Sequence, residues 1–187
     1  TSLLAQLVPS DPQLKLSVSH TTRAAREGEQ DGVHYHFVSI DDFEEQAGKG
    51  VFLESAEVFG NFYGTSEQAI REQLQNGFDV ILEIDWQGAA QVRKRIADAV
   101  SVFILPPSVE ALRERLSGRG QDSQEIIQRR MQQANSELSH YPEYDFLVFN
   151  DDFDVALAEL RAIFVANRLK TARVCSEKAE ILQALLA

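Results

Sequence analysis

The chain has 187 residues, 44% of them hydrophobic, enough for one packed domain with room for a small insertion. Its 29 acidic and 18 basic side chains give a formal net charge of -11, which argues against a broad nucleic-acid footprint because such surfaces need a basic excess, while leaving small anions open. No apolar stretch approaches the ~20 residues of a membrane span, no signal-peptide pattern opens the chain, and the one cysteine, Cys175, excludes an intrachain disulfide, so a soluble protein with a structural thiol is expected.

In chain order, Thr1 to Leu7 carries apolar residues at helical spacing and ends near Pro9. Leu14 to Ser19 alternates as a strand. It runs into a loop with Thr21, Thr22, Arg23 and Arg26 that breaks at Gly28 and Gly32, and a second short strand begins at Tyr35. Two planar guanidinium groups three residues apart, beside hydroxyls, suit a doubly charged phosphate. On spacing alone, two solvated loop arginines fit equally well. Arginine clusters carry more information in an acidic chain than in a basic one, and two others recur, at Arg113 to Arg119 and at Arg129 with Arg130.

Asp41, with Glu44 three positions on, is the expected cap of a short helix that stops at Gly48 and Gly50. Val51 to Phe59 reads as a strand, Gly60-Asn61 as a turn and Phe62 to Gly64 as a brief return. Thr65 or Ser66 then caps a helix that ends at Asn76-Gly77. Phe78 to Ile84, Val102 to Leu105 and Phe146 to Phe149 read as buried strands of a sheet covered on both faces. Helices are expected after Asp85, after Ser108, from about Asp122 to Leu138, from Asp154, and from about Glu177 to Leu186, the last presenting Ile181, Leu182, Leu185 and Leu186 on one side. Strands alternating with helices imply an α/β fold with a parallel sheet, and the patch from Tyr35 to Gly64 reads as an insertion.

Taken singly, several residues have ordinary explanations. Tyr35 and Tyr63 at strand ends suit half-buried packing, Trp86 suits the core, and Asp151, Asp152 and Asp154 suit helix capping. His20, His34, His36 and His140 form no zinc pattern with a cysteine pair.

Four stretches, however, stand together in one order: Ser19-His-Thr-Thr-Arg23-Ala-Ala-Arg26-Glu-Gly-Glu29, Gly60-Asn-Phe-Tyr63-Gly-Thr-Ser66, Asp85-Trp-Gln-Gly88 and Arg115-Leu-Ser-Gly-Arg119-Gly120. Together they resemble guanylate kinase of the bacterial type over nearly the whole chain. The resemblance implies a P-loop nucleoside monophosphate kinase-like parallel sheet flanked by helices, with an inserted mixed-sheet GMP-binding region over 20–77 and a helical lid over 118–138. The core would comprise 1–19, 78–117 and 139–187.

By the same resemblance the protein transfers a phosphoryl group from ATP to GMP with Mg²⁺, in purine nucleotide metabolism in the cytoplasm, with no nucleic acid or membrane involved and homo-oligomerisation left open. Arg23, Arg26, Tyr35 and Tyr63 would hold the GMP phosphate, and Ser19, Glu54, Thr65 and Asp85 would read guanine. A carboxylate accepts from both donors on guanine's edge, and adenine offers no such pair. Arg115, Arg119 and Arg130 correspond to lid arginines that neutralise ATP phosphates during transfer, and Asn150 is similar to a residue near adenine. Glu83, ending the same strand as Asp85, is a weaker candidate near the metal.

The family's first strand and its loop of the form Gly-x-x-x-x-Gly-Lys-[Ser/Thr] are not in this sequence, which starts as if just after the lysine. Thr1 is therefore expected to be the loop's terminal hydroxyl, at the Mg²⁺, and the chain as given is expected not to turn over. The alternative is a catalytically silent guanylate kinase-like module that binds phosphopeptides or protein partners through the same arginine loop.

Overall fold

The computed structural model describes residues 2–117, 131, 132 and 134–187. The chain divides into two compact units, Thr1–Ser101 with Gln132–Asp145, and Val102–Met131 with Phe146–Ala187.

In the first unit, α1 (Ser2–Ser10) turns Leu3, Leu4 and Leu7 inward, the one-sided spacing that makes this segment an amphipathic helix. The strand β1 (Leu14–Leu16) follows and pairs in parallel with β6 (Asp79–Ile81), Leu14 opposite Asp79 and Leu16 opposite Ile81. A separate four-stranded sheet has the order β3-β2-β5-β4, with β2 (His20–Thr21), β3 (His36–Phe37), β4 (Phe52–Val58) and β5 (Asn61–Ser66). Here β2 runs parallel to β3 and antiparallel to β5, and β4 and β5 form a hairpin.

Between strands lie α2 (Ile40–Gly48), α3 (Glu67–Gln75) and α4 (Trp86–Arg95). The cap of α2 is Ser39 rather than Asp41: its hydroxyl accepts from the Asp42 amide, and a serine two residues earlier does the capping work that the acidic pair suggested. Ser66 caps α3 and Asp85 caps α4, as the sequence pattern implies. Leu53, Ile70 and Val92 form a buried cluster that joins β4, α3 and α4, with Val80, Leu82 and Ile84 packed against it. Phe43 of α2 stacks on Phe52, at 4.7 Å between ring centroids, and on Phe62 at 5.5 Å.

The second unit pairs β7 (Val102–Leu105) in parallel with β8 (Phe146–Phe149), with α5 (Val109–Ser117) between them in sequence. It continues through α6 (Phe153–Arg168), α7 (Thr171–Glu177) and α8 (Ala179–Leu186). Asp152 caps α6 by accepting from the amides of Asp154 and Val155, which bears out the capping reading of the aspartate run. The strands are less covered than a doubly faced parallel sheet would be. In β8 only Val148 is buried, and Phe146, Leu147 and Phe149 remain 43%, 42% and 52% exposed. Among the described residues of this unit, β7 pairs with it and α6 packs against it. Likewise β6 ends at Ile81 with half-buried residues, three positions short of the expected run to Ile84.

The expected last helix is found as α8, starting two residues later than expected, and a short unanticipated helix, α7, precedes it. Lys178 separates α7 from α8, and Ile181, Leu182, Leu185 and Leu186 are all exposed, the last two at 77% and 89%. No helix among the described residues is long and apolar enough to cross a membrane.

The hairpin turn between β4 and β5 has left-handed φ at both central positions, 53° at Phe59 and 76° at Gly60. This geometry matches strand twist but penalises a side chain with a Cβ, and Asn tolerates it far better than Phe. Phe59 is 65% exposed, so little packing is lost with it. Phe59→Asn should stabilise the protein by about 0.5–1 kcal/mol, read as a higher midpoint in denaturant with unchanged slope.

Candidate functional site

The mixed sheet and the N-terminal end of α4 bring the predicted residues of the first unit together. In β5, Tyr63 and Thr65 are two residues apart and so share a face. Tyr63 lies opposite Thr21 of β2, and Thr65 lies opposite Glu54 of β4.

The pairing register slips between Phe52 and Glu54, a bulge that breaks simple alternation. As a result Leu53 and Glu54 both meet α4, Leu53 at Val92 and Glu54 near Gly88, and both are buried, at 0% and 3% exposure.

A chain of hydrogen bonds ends on the Glu54 carboxylate. The Thr65 hydroxyl donates to Glu54 Oε1 at 2.5 Å, and Ser19 Oγ lies 2.9 Å from Thr65 Oγ1. Thr65's single proton is committed to the carboxylate, so Ser19 is the donor in the second bond. Burial pushes the Glu54 carboxyl above its ordinary range, the Thr65 hydroxyl opposes that shift, and the negative charge of Asp85 adds to it. Asp85 itself is held at the start of α4: Oδ1 accepts from the Gly88 amide at 2.9 Å and Oδ2 from the Gln87 side chain at 3.0 Å. Two carboxylates thus approach one another at a helix N-terminus, where the dipole favours negative charge.

Beyond Tyr63 the site becomes cationic. Arg23 packs its guanidinium over the rings of Tyr35 (5.4 Å) and Phe37 (5.9 Å), and Tyr35 meets Tyr63 edge-on at 6.0 Å. The Tyr35 hydroxyl titrates above its ordinary value, chiefly through burial and then through Tyr63 and Glu83, so it is a neutral donor at pH 7. Arg26 is exposed on the loop, with its amide donating to Glu29 Oε2 at 2.7 Å.

Glu29 is the residue that sequence reasoning did not single out. It takes both arms of the Arg23 fork, at 3.0 and 2.8 Å, and with the Arg26 amide its oxygens occupy donors suited to a phosphate. Its place inside the quoted Arg-Glu-Gly-Glu run was the available signal. Trp86, expected in the core, is half-buried and stacks face to face on His140 at 3.7 Å. Glu137 is exposed to solvent nearby, and its carboxyl is raised by desolvation and by the charge of Asp85.

Asn150 lies in the second unit, after β8, its amide donating to Leu105. Arg115 is carried by α5; its side chain, and Thr1, Arg119 and Arg130 altogether, lie outside the described residues.

The family model for guanylate kinase matches residues 2–167. The chain belongs to the guanylate kinase family. A guanylate kinase of Hahella chejuensis is 62% identical, with 91% of this chain and 82% of that protein covered. A guanylate kinase of Vibrio cholerae is 56% identical, over 100% and 91%. The crystal structure of guanylate kinase from Anaplasma phagocytophilum superposes with a TM-score of 0.79 at 36% identity, covering 92% of this chain and 84% of that one. The parallel strand pairs, their helices and the separate mixed sheet of this chain thus belong to a guanylate kinase fold.

The Arg23–Glu29 pair has a measurable signature. The hydrogen bonds from Arg23 lower the Glu29 carboxyl from an ordinary 4.5 to about 2, with the Arg26 amide next in effect. A depressed carboxylate keeps its pairing above its ordinary value and loses it as pH falls through the folded value. Side-chain NMR should thus show Glu29 titrating near 2 in the native protein and returning toward 4.5 in Arg23→Gln; a native midpoint at 4.5 would contradict the pairing.

Proposed function

We propose that the protein catalyses ATP + GMP = ADP + GDP, as a cytoplasmic enzyme of purine nucleotide supply, with the first unit's cluster as the GMP site. The observation that carries this reading is the buried Ser19–Thr65–Glu54 chain, which shares β5 with the tyrosine and arginine end of the same surface. An acidic base reader opposite Thr65 and a cationic dianion binder beside Tyr63 suit a nucleoside monophosphate.

In this reading Glu54 accepts from the two donors on guanine's Watson–Crick edge, with Ser19 and Thr65 ordering the carboxylate and Asp85 beside it. Adenine would leave the buried carboxylate unpaired, which is the source of discrimination. Arg23, Arg26, Tyr35 and Tyr63 hold the phosphate. Arg23 must exchange Glu29 for phosphate or share itself between the two, and its stacking on Tyr35 and Phe37 keeps the fork oriented while it does so.

Arg115, Arg119 and Arg130 are assigned to the ATP phosphates and Asn150 to the neighbourhood of adenine. Mg²⁺ would enter with ATP, neutralising the β- and γ-phosphates, with Thr1 as the expected protein hydroxyl. Among the described residues no group of three His, Cys, Asp or Glu side chains could hold a metal. Phosphoryl transfer needs alignment and charge neutralisation rather than a covalent partner, and this set of residues supplies both. The relatives' names disfavour the silent binding-module reading.

Calorimetric titration of the chain with GMP and AMP tests the assignments without requiring turnover. Glu54→Ala should weaken GMP by on the order of 100-fold, as expected for removing the charged acceptor of two base donors, and should leave AMP nearly unchanged. Arg26→Ala should abolish measurable GMP binding. Equal losses for GMP and AMP in Glu54→Ala would remove Glu54 as base reader.

A further inference from the structure

The first turn of α4 approaches Glu54 more closely than any side chain at Gly88 would permit. A Cβ placed on Gly88 would lie 2.6 Å from Glu54 Oε2, 3.2 Å from Glu54 Cδ and 3.3 Å from Ile84 Cβ. Gly88 is not there to adopt an unusual backbone. It sits inside a regular helix and is absent from the positive-φ positions, so a glycine costs helix propensity without a conformational return. What it provides is room.

Glu54 is fixed from both sides in consequence. Oε1 takes the Thr65 hydroxyl, and Oε2 lies against the bare backbone at Gly88. One turn on, Gln91 uses its carboxamide as a strand would: Oε1 accepts from the Ser55 amide at 3.1 Å and Nε2 donates to the Ser55 carbonyl at 2.8 Å. Ser55 follows Glu54 directly, so the helix is pinned to β4 beside the carboxylate it crowds. Gly88, Gln91 and Val92 share one face of α4, with Val92 closing the contact through Leu53.

We infer that Gly88 is a specificity-determining positioning residue: by having no side chain, and with Gln91 locking the helix in place, it sets where the Glu54 carboxylate sits and hence how strictly the site separates guanine from adenine. The inference rests on Glu54 as base reader. It assigns Gly88 no contact with the nucleotide.

The test uses nucleotide binding to the full chain, GMP against AMP, with thermal unfolding alongside. Gly88→Ala should raise the GMP dissociation constant at least tenfold and leave AMP within twofold, with Tm held or raised because alanine is the better helix former. In a Glu54→Ala background, adding Gly88→Ala should change GMP binding by less than twofold, since the group being displaced is gone. Gln91→Ala should lower GMP preference in the same direction, and again only while Glu54 is present. Unaltered GMP affinity in Gly88→Ala would overturn the inference, as would an equal loss in the Glu54→Ala background. Failure of the underlying reading looks different, because Glu54→Ala alone would then keep the preference for GMP.

Discussion

A carboxyl group at 3% exposure is the constraint around which the first unit's cluster is arranged. Burial raises the Glu54 pKa and the neighbouring Asp85 raises it further, so the ionised form is disfavoured at this position. The structure offsets this only in part. One neutral hydroxyl bonds Oε1, a second hydroxyl orders the first, and the start of α4 contributes its dipole. No basic side chain is hydrogen-bonded to Glu54 among the described residues. In the proposed reading, an arginine there would pair the carboxylate and compete with the donors of the base.

The same sheet serves two opposite electrostatic demands because it is short and irregular. The bulge at Leu53 turns Glu54 toward α4, while two residues along β5 Tyr63 reaches the cationic loop. The loop between β2 and β3 is anchored at both ends by their pairing, His20 to His36 and Thr21 to Phe37. Within it Glu29 folds the chain back on Arg23 and the Arg26 amide. The two arginines proposed to hold phosphate are thereby carried on a loop framed by paired strands, with an internal acid on the Arg23 fork.

Much of this was legible in the residues. Glycines at Gly50 and Gly77 and the Ser66 and Asp85 caps each have a local physical cause, and they placed those helix ends correctly, while β5 runs longer than the brief return expected over Phe62 to Gly64. The site's ingredients were visible as types and order, since arginines beside hydroxyls and a glutamate in a strand keep their chemistry in any fold. What escaped had non-local causes. A bulge depends on the partner strand, so period-two counting cannot find it. The burial of β8 depends on what packs over it, and apolar composition alone overstated it. Ser39 competed with Asp41 for one cap, and the backbone entry angle decided between them. Gly88 looked like one letter of a motif until its distance to Glu54 gave it a purpose.

The central claim is that Glu54 is kept buried and charged for recognition against the interest of stability. A group whose folded pKa is raised is most favourable to the fold when protonated, and its stabilisation is lost as pH climbs from the unfolded value through the folded one. Glu54→Gln keeps the shape and the acceptor for Thr65 but removes the charge. Thermal unfolding at neutral pH, with and without saturating GMP, is therefore the most direct measurement. The expected result is an apo Tm raised by roughly 2–4 °C, the equivalent of about 1 kcal/mol for a chain of this size, with the stabilisation by GMP largely gone. An apo Tm that falls, or a GMP-induced shift equal to that of the native protein, would contradict it.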